Sequence, residues 1–229
     1  MSGPAPRALL LDALGTLVEL EPPVEPLRVE LRARFGLEVG EEEAARALRA
    51  EIAFYRANHD DARDGASLAL LRRRAAGALR DALPAAAGLA LEPLTEALLA
   101  ALRFRPFPEV PEVLEAARAR GIRRVVVSNW DISLHDVLAA TGLAPLLDGV
   151  VTSAQTGCSK PAPGIFARGL ALAGVEAAQA LHVGDSVEHD LAGARAAGVP
   201  ALLLVRDGSA PPAGVPIVRS LRELPGIDP

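Results

Sequence analysis

Five short apolar runs punctuate this chain, and most are too apolar to leave one face in water. They read RALLLD (7–12), RRVVVSN (123–129), GVVTS (149–153), ALHVGD (180–185) and VPALLLV (199–205). Strands buried on both faces, with helical patterns between them, specify a parallel sheet covered by helices on either side. The helices between them are marked by their ends. PEVLEAARARG (111–121), SLHDVLAATG (133–142), APGIFARGLALAG (162–174) and EHDLAGARAAG (188–198) each close on a glycine, and Ser133 stands as a cap at the head of the second. The fold class expected is α/β, a Rossmann-like parallel sheet core flanked by helices.

More than a hundred residues separate the first two strands, far more than one crossover helix requires. Residues 24–36, 41–59, 66–83 and 92–103 carry apolar residues at helical spacing, with no strand pattern among them. Proline-rich joints, ELEPPVEP (19–26) and RFRPFPEVPE (103–112), bracket the segment. The expected organisation is therefore a core of residues 1–20 plus 106–229 and an inserted all-helical domain, 21–105. At 229 residues the chain can bury a sizeable core. With 50% hydrophobic but only 3% aromatic residues, that core is built from Ala, Leu and Val.

In doubly wound sheets, ligands bind at the carboxyl ends of the strands. Asp12 follows the first run, Ser128 and Asn129 close the second, and Gly184 and Asp185 close the fourth. Lys160 lies one loop beyond the third, and it is the only lysine among 24 basic residues. Two carboxylates, a hydroxyl, an amide and a solitary ammonium thus gather on one sheet edge, which marks a site rather than a chance set of polar strand ends.

These residues and their order resemble the haloacid dehalogenase superfamily, whose members are mostly phosphatases, over almost the whole length of the chain. The first motif of that family, Asp-x-Asp-x-Thr, is matched by DALGT, with Asp12 and Thr16; the second by Ser128 in VVVSN. The third, a Lys followed by Pro, is Lys160 in SKPAPGIF, and the fourth is VGDSVEHD, with Asp185 and Asp190. The resemblance implies attack by Asp12, an aspartyl-phosphate intermediate and then hydrolysis. It also implies that the insertion is a helical cap governing specificity.

A phosphomonoester is dianionic, so a carboxylate nucleophile repels it unless cations intervene. Lys160 supplies one charge, and Mg²⁺ is the hard cation expected to supply more. Asp12 and Asp185 are its candidate carboxylate ligands, and the resemblance adds the backbone carbonyl of Leu14. Thr16, Ser128, Asn129 and the Gly15–Thr16 N–H groups are expected to bind phosphoryl oxygens. Asp190 is expected to orient Lys160 or a metal-bound water. The partner implied is a small phosphorylated molecule.

Leu14 departs from the phosphatase pattern, for there the second acid protonates the leaving alkoxide. A metal-independent 2-haloacid dehalogenase also lacks that acid, and its first motif, Asp-Ala-x-Gly-Thr, matches DALGT. The VGDSVEHD motif, however, is of the metal-binding kind rather than the Ser-Ser-Asn type of the dehalogenases. A non-catalytic phosphate- or protein-binding member is the third reading. The insertion holds no lysine for Schiff-base phosphonate chemistry, and the chain is about twice the length of a receiver domain.

The remaining features bound the setting. A net charge of −5 and a pI near 5.5 favour neither nucleic acid nor an anionic membrane. No apolar stretch approaches the roughly 18 to 20 residues of a membrane span, the N-terminus lacks a signal-like pattern, and Cys158 has no disulfide partner, so a cytoplasmic protein is expected. His182 reads as a core histidine, Asp131 as a helix cap and Trp130 as packing or an entrance residue. Arg56, His59, Asp60 and Arg63, between two insertion helices, are candidate substrate contacts against the alternative of a solvated loop.

Overall fold

A computed structural model describes residues 5–206, 208–210 and 213–227; the first four residues of the N-terminal stretch and the last two of the closing one lie outside these. The strands are β1 (Ala8–Leu11), β2 (Val18–Leu20), β3 (Phe104–Pro106), β4 (Arg123–Ser128), β5 (Gly149–Thr152), β6 (Ala180–Gly184), β7 (Ala201–Leu204) and β8 (Ile217–Val218). Six of them form one sheet in the order β5-β4-β1-β6-β7-β8, and each pairing is parallel. The apolar runs account for this directly: β1 is buried along its whole length, as a central strand covered on both faces must be.

The helices are α1 (Val24–Phe35), α2 (Glu41–Asn58), α3 (Gly65–Asp81), α4 (Leu91–Ala101), α5 (Val110–Ala119), α6 (Leu134–Ala140), α7 (Ser153–Thr156), α8 (Pro163–Ala173) and α9 (Ala192–Ala196). On one face of the sheet, Phe166 and Ile165 of α8 pack with Leu10, Val125 and Val127. Helix α9 is preceded by a π-helical turn, Val187–Leu191, where a single α-helix is expected from the periodicity. Ser133 heads α6 without a side-chain capping bond; Asp131 takes that duty, its Oδ1 accepting the Ser133 N–H at 2.6 Å.

Contacts divide the chain into two compact units, one of residues up to Glu19 together with those from Pro106 onward, the other Leu20–Arg105. The chain crosses between them twice, and both crossings run through the ribbon β2–β3. The second unit is helical. Leu27 and Leu31 of α1, Leu48 of α2, Leu79 of α3, and Leu94 and Leu98 of α4 meet in its core. Asp64 caps α3 in a reciprocal box with Ser67. Among the described residues no helix is long and apolar enough to cross a membrane.

One charged residue of α2 is buried: Glu51 is only 4% exposed. Burial pushes its carboxyl from the ordinary 4.5 up to about 7. The unfolded chain therefore releases this proton first, and folded-state stability falls as pH rises from about 4.5 to about 7. The whole effect is on the order of 3 kcal/mol. Glu51→Gln removes it. The variant should be more resistant to urea than the parent at pH 8, with the advantage vanishing near pH 4.5; a pH-independent difference between the two counts against this assignment.

Candidate active site

Strand β1 lies between β4 and β6, with Leu11 in register with Val126 and Val183. The parallel arrangement therefore brings the residues just beyond these strands to one edge, and the Asp12 N–H continues the ladder to the Val183 carbonyl at 2.9 Å. Asp12, Ser128 and Asp185 meet there for a topological reason.

The Lys160 ammonium sits between two carboxylates, 2.6 Å from Asp12 Oδ1 and 2.6 Å from Asp190 Oδ1. All three side chains are buried. Ser128 Oγ donates to Asp12 Oδ1 at 2.9 Å, so that oxygen accepts two bonds while Oδ2 accepts none. Asp190 also accepts from the Ser186 N–H at 3.0 Å and pairs through Oδ1 with His182 Nε2 at 2.9 Å. Burial pushes the Asp12 carboxyl up, the Lys160 ammonium pulls against it and Asp190 adds to the rise; the balance lies above the ordinary value. Burial would likewise raise Asp190, but Lys160 and His182 hold it well below the usual range. Burial alone would lower Lys160, whereas its two carboxylates hold it above an ordinary lysine.

Two glycines permit this crowding. Gly15 has φ +80°, and a Cβ there would lie 2.1 Å from Asp185 Oδ2. A Cβ on Gly184 would lie 2.1 Å from the Asp190 carboxyl carbon. The turn after Asp12 winds around the Ala13 carbonyl, which accepts the N–H groups of Thr16, Leu17 and Val18. Gly15 N–H bonds to Val18 O, so the Gly15 and Thr16 amides expected to hold phosphoryl oxygens are committed within the turn. The N–H groups of Ala13 and Leu14 make no such bond, and the buried Thr16 hydroxyl has no partner. These are the donors left for an incoming oxyanion.

Asn129 also departs from expectation. Its Nδ2 donates to the Lys160 carbonyl at 2.9 Å, and its Oδ1 accepts the Lys160 N–H at 2.7 Å. The amide is thus a backbone splint for the lysine rather than a phosphoryl contact. His182 is buried as expected, packed edge-on against Phe166 with ring centroids 5.0 Å apart, but it belongs to the charged network and its Nδ1 is unpartnered. Trp130 is buried, its N–H bonded to Ser153 Oγ. In the helical unit, His59 Nδ1 pairs with the Arg56 carbonyl and Arg63 Nε donates to the Asp60 carbonyl, both local turn contacts.

The donor set suits a hard cation. One carboxylate oxygen each from Asp12, Asp185 and Asp190 lies within 4.8 Å of the others. Neither bond of the Leu14–Val18 bridge uses the Leu14 carbonyl, which leaves that oxygen available too. Three carboxylates face a single ammonium, an excess of negative charge that a divalent cation would offset. Partial desolvation, then the charges on Asp12 and Asp190, push the Asp185 carboxyl up to about 6.

A family model described as haloacid dehalogenase-like hydrolase matches residues 6–198. Haloacid dehalogenase-like hydrolase domain-containing protein 3 of Bos taurus is 43% identical over 104 residues, 42% of this chain and 41% of its own length. The chain thus spans about two fifths of the first curated relatives it matches. The glyceraldehyde 3-phosphate phosphatase of Methanopyrus kandleri is 29% identical over 199 residues, covering 84% of this chain and 81% of that protein. Among solved structures, the 2-haloacid dehalogenase of Pseudomonas syringae pv. Tomato superposes with a TM-score of 0.67 at 25% identity, covering 96% of this chain and 97% of that one.

Removing one member of a buried ion pair leaves the others uncompensated, at a cost of about 3–5 kcal/mol. Lys160→Met should lower stability by roughly that amount at pH 7 in EDTA, measured by urea unfolding. The deficit should shrink as pH falls and the freed carboxylates take up protons. A deficit that stays constant with pH would show that lost packing, not uncompensated charge, is responsible.

Proposed function

The chain belongs to the haloacid dehalogenase-like hydrolases, and from that premise we propose that it is a cytoplasmic Mg²⁺-dependent phosphatase acting on a small phosphorylated metabolite. The observation that carries this reading is the trio Asp12, Asp185 and Asp190 facing one ammonium. Without added positive charge such a site repels any anionic substrate; with a divalent cation it accepts a phosphate dianion. The Methanopyrus kandleri relative, named as a phosphatase over most of its length, supports the same reading.

Asp12, Asp185 and the Leu14 carbonyl would hold the ion, with Asp190 in the same cluster pairing with Lys160. When bound, Mg²⁺ neutralises phosphoryl charge and polarises the phosphorus. The protein's own groups do the rest. Asp12 Oδ1 is held by Ser128 and Lys160, which leaves Oδ2 to attack the phosphorus. The bond to the leaving oxygen breaks, and its electron pair departs with that oxygen. Lys160 balances the charge of the attacking carboxylate and of the phosphoryl oxygens, and the unpaired amides at Ala13 and Leu14 with the Thr16 hydroxyl receive those oxygens, while the Ser128 hydroxyl stays committed to Asp12. Water then attacks the phosphorus of the aspartyl-phosphate, returning Asp12 as a carboxylate and releasing inorganic phosphate. The helical unit Leu20–Arg105 is read as the specificity-setting cap.

Leu14 cannot protonate the leaving oxygen. General acid help is worth roughly 10² to 10⁴ in rate, about 3 to 5 kcal/mol. Substrates whose leaving groups need no proton, such as acyl and aryl phosphates, are therefore favoured. The same residue supports the second reading, halide displacement from a 2-haloacid, since halide also leaves unprotonated. Asp185 beside Asp12 weighs against it, because a haloacid brings its own carboxylate.

With Mg²⁺ present, acyl and aryl phosphates should be hydrolysed far faster than alkyl phosphates, and Asp12→Asn should abolish both. Leu14→Asp should raise the alkyl rate by roughly 10²-fold or more. Alkyl phosphates turned over as fast as aryl ones, with no gain from Leu14→Asp, would rule out the leaving-group argument. Halide release from 2-chloropropionate in EDTA would replace the phosphatase by the dehalogenase, and equal, vanishing rates for the parent and Asp12→Asn would indicate a binding protein.

A further inference from the structure

Arg206 lies two residues beyond β7 and outside the residues matched by the family model. Its guanidinium reaches back across the chain to the turn that follows the nucleophile. Nε donates to the Gly15 carbonyl at 3.1 Å and Nη2 to the Thr16 carbonyl at 2.8 Å. Nη1 donates to Glu109 Oε1 at 2.6 Å, and the guanidinium carbon stands 3.6 Å from the centre of the Phe107 ring. Each guanidinium nitrogen has a partner, and a carboxylate and an aromatic face fix the plane of the group. Phe107 N–H takes the next carbonyl, that of Leu17, at 3.1 Å.

Three consecutive carbonyls, of residues 15, 16 and 17, are thus held from one side, while the amides of Thr16, Leu17 and Val18 converge on the Ala13 carbonyl on the other. A peptide plane gripped at its oxygen and at its N–H cannot rotate. What this rigidity protects is close by. Gly15 adopts φ +80° against Asp185 Oδ2, and the Leu14 carbonyl immediately precedes it. We infer that Arg206 is a positioning residue, which sets the spacing between the Leu14 carbonyl with its Asp12 neighbour on one side of the metal site and Asp185 on the other. The inference rests on the proposed Mg²⁺ site but assigns it a determinant that none of the four motifs contains. Lysine is a poor substitute, because one ammonium cannot span two adjacent carbonyls while pairing with Glu109 and lying flat on Phe107.

The test compares the full-length parent with Arg206→Ala, Arg206→Lys and Glu109→Gln. Three measurements are made on each: Mg²⁺ affinity by titration calorimetry, amide exchange of residues 13–18 by mass spectrometry in EDTA, and melting temperature in EDTA. Loss of an outer-shell partner typically costs 10- to 100-fold in metal affinity. Arg206→Ala should weaken Mg²⁺ binding by about that factor and speed exchange in the turn, with β1 and β6 unchanged. Arg206→Lys should fall between it and the parent, and Glu109→Gln, which weakens the pair that fixes the guanidinium plane, should shift the same measurements in the same direction by less than Arg206→Ala. A lowered melting temperature with unchanged Mg²⁺ affinity and turn exchange would reduce Arg206 to a structural tie and overturn the proposal. If Arg206→Ala does not fold, Arg206→Lys decides by the same measurements. If the parent itself binds no Mg²⁺, the metal reading fails, and unaltered turn exchange in the variants would overturn the positioning role independently.

Discussion

The structure of the site depends on one buried cation. Lys160 lies 2.6 Å from an oxygen of Asp12 and 2.6 Å from one of Asp190, and neither acid could remain ionised in so dry a place without it. The ammonium must therefore be held as firmly as the acids. Asn129 does this by bonding both the N–H and the carbonyl of Lys160, which couples the end of β4 to the loop after α7. Asp190 is fixed in turn by His182 and by the Ser186 amide. The charge that permits burial of Asp12 is also the charge that, on the proposed phosphatase reading, a phosphoryl group would meet.

That arrangement carries more acid than its one ammonium can balance. Asp185 stands near Asp12 and Asp190 with no ammonium of its own, and its carboxyl is pushed up to about 6 by desolvation and by those neighbours. A site that keeps three acids together gains little for stability from the third, because like charges at this separation repel. The crowding is moreover enforced by two glycines whose replacement would collide with Asp185 and Asp190. Gly15 leaves room for Asp185 and Gly184 for Asp190, so the backbone accommodates three acids in a cluster that could hold a metal ion.

Much of this was legible in the sequence because it depends on periodicity and order. Apolar runs too long for one wet face specify buried parallel strands, and parallel strands place Asp12, Ser128 and Asp185 on one edge whatever the loops do. The solitary lysine among 24 basic residues stood out against its own background. The partnerships were not legible. Asn129 next to a strand-end serine looks like a phosphoryl ligand, and only the path of the loop shows that its amide turns to the Lys160 backbone instead. His182 sits in an apolar strand buried along its whole length, which conceals its bond to Asp190 eight residues later. Arg206 carried no signal at all, being one arginine of many in a stretch without a motif. Strands β2, β3 and β8, of two or three residues, fall below the length at which alternation can be detected.

Leu14 illustrates how a site can change chemistry without changing shape. The residue is 40% exposed, and its carbonyl takes no part in the bridge to Val18. The turn is built from backbone bonds to Ala13 O and from the grip of Arg206 and Phe107, none of which involves the side chain at position 14. On the proposed reading, a leucine there removes a proton donor while leaving Asp12, Lys160 and the backbone donors where they are. Gly15, the next residue, has the opposite character. Its conformation and its contact with Asp185 exclude every side chain, so a substitution would displace the acid rather than tune it. Adjacent positions in one turn thus separate what the scaffold can vary from what it cannot, and on the proposed reading the variable one governs which leaving groups the site can release.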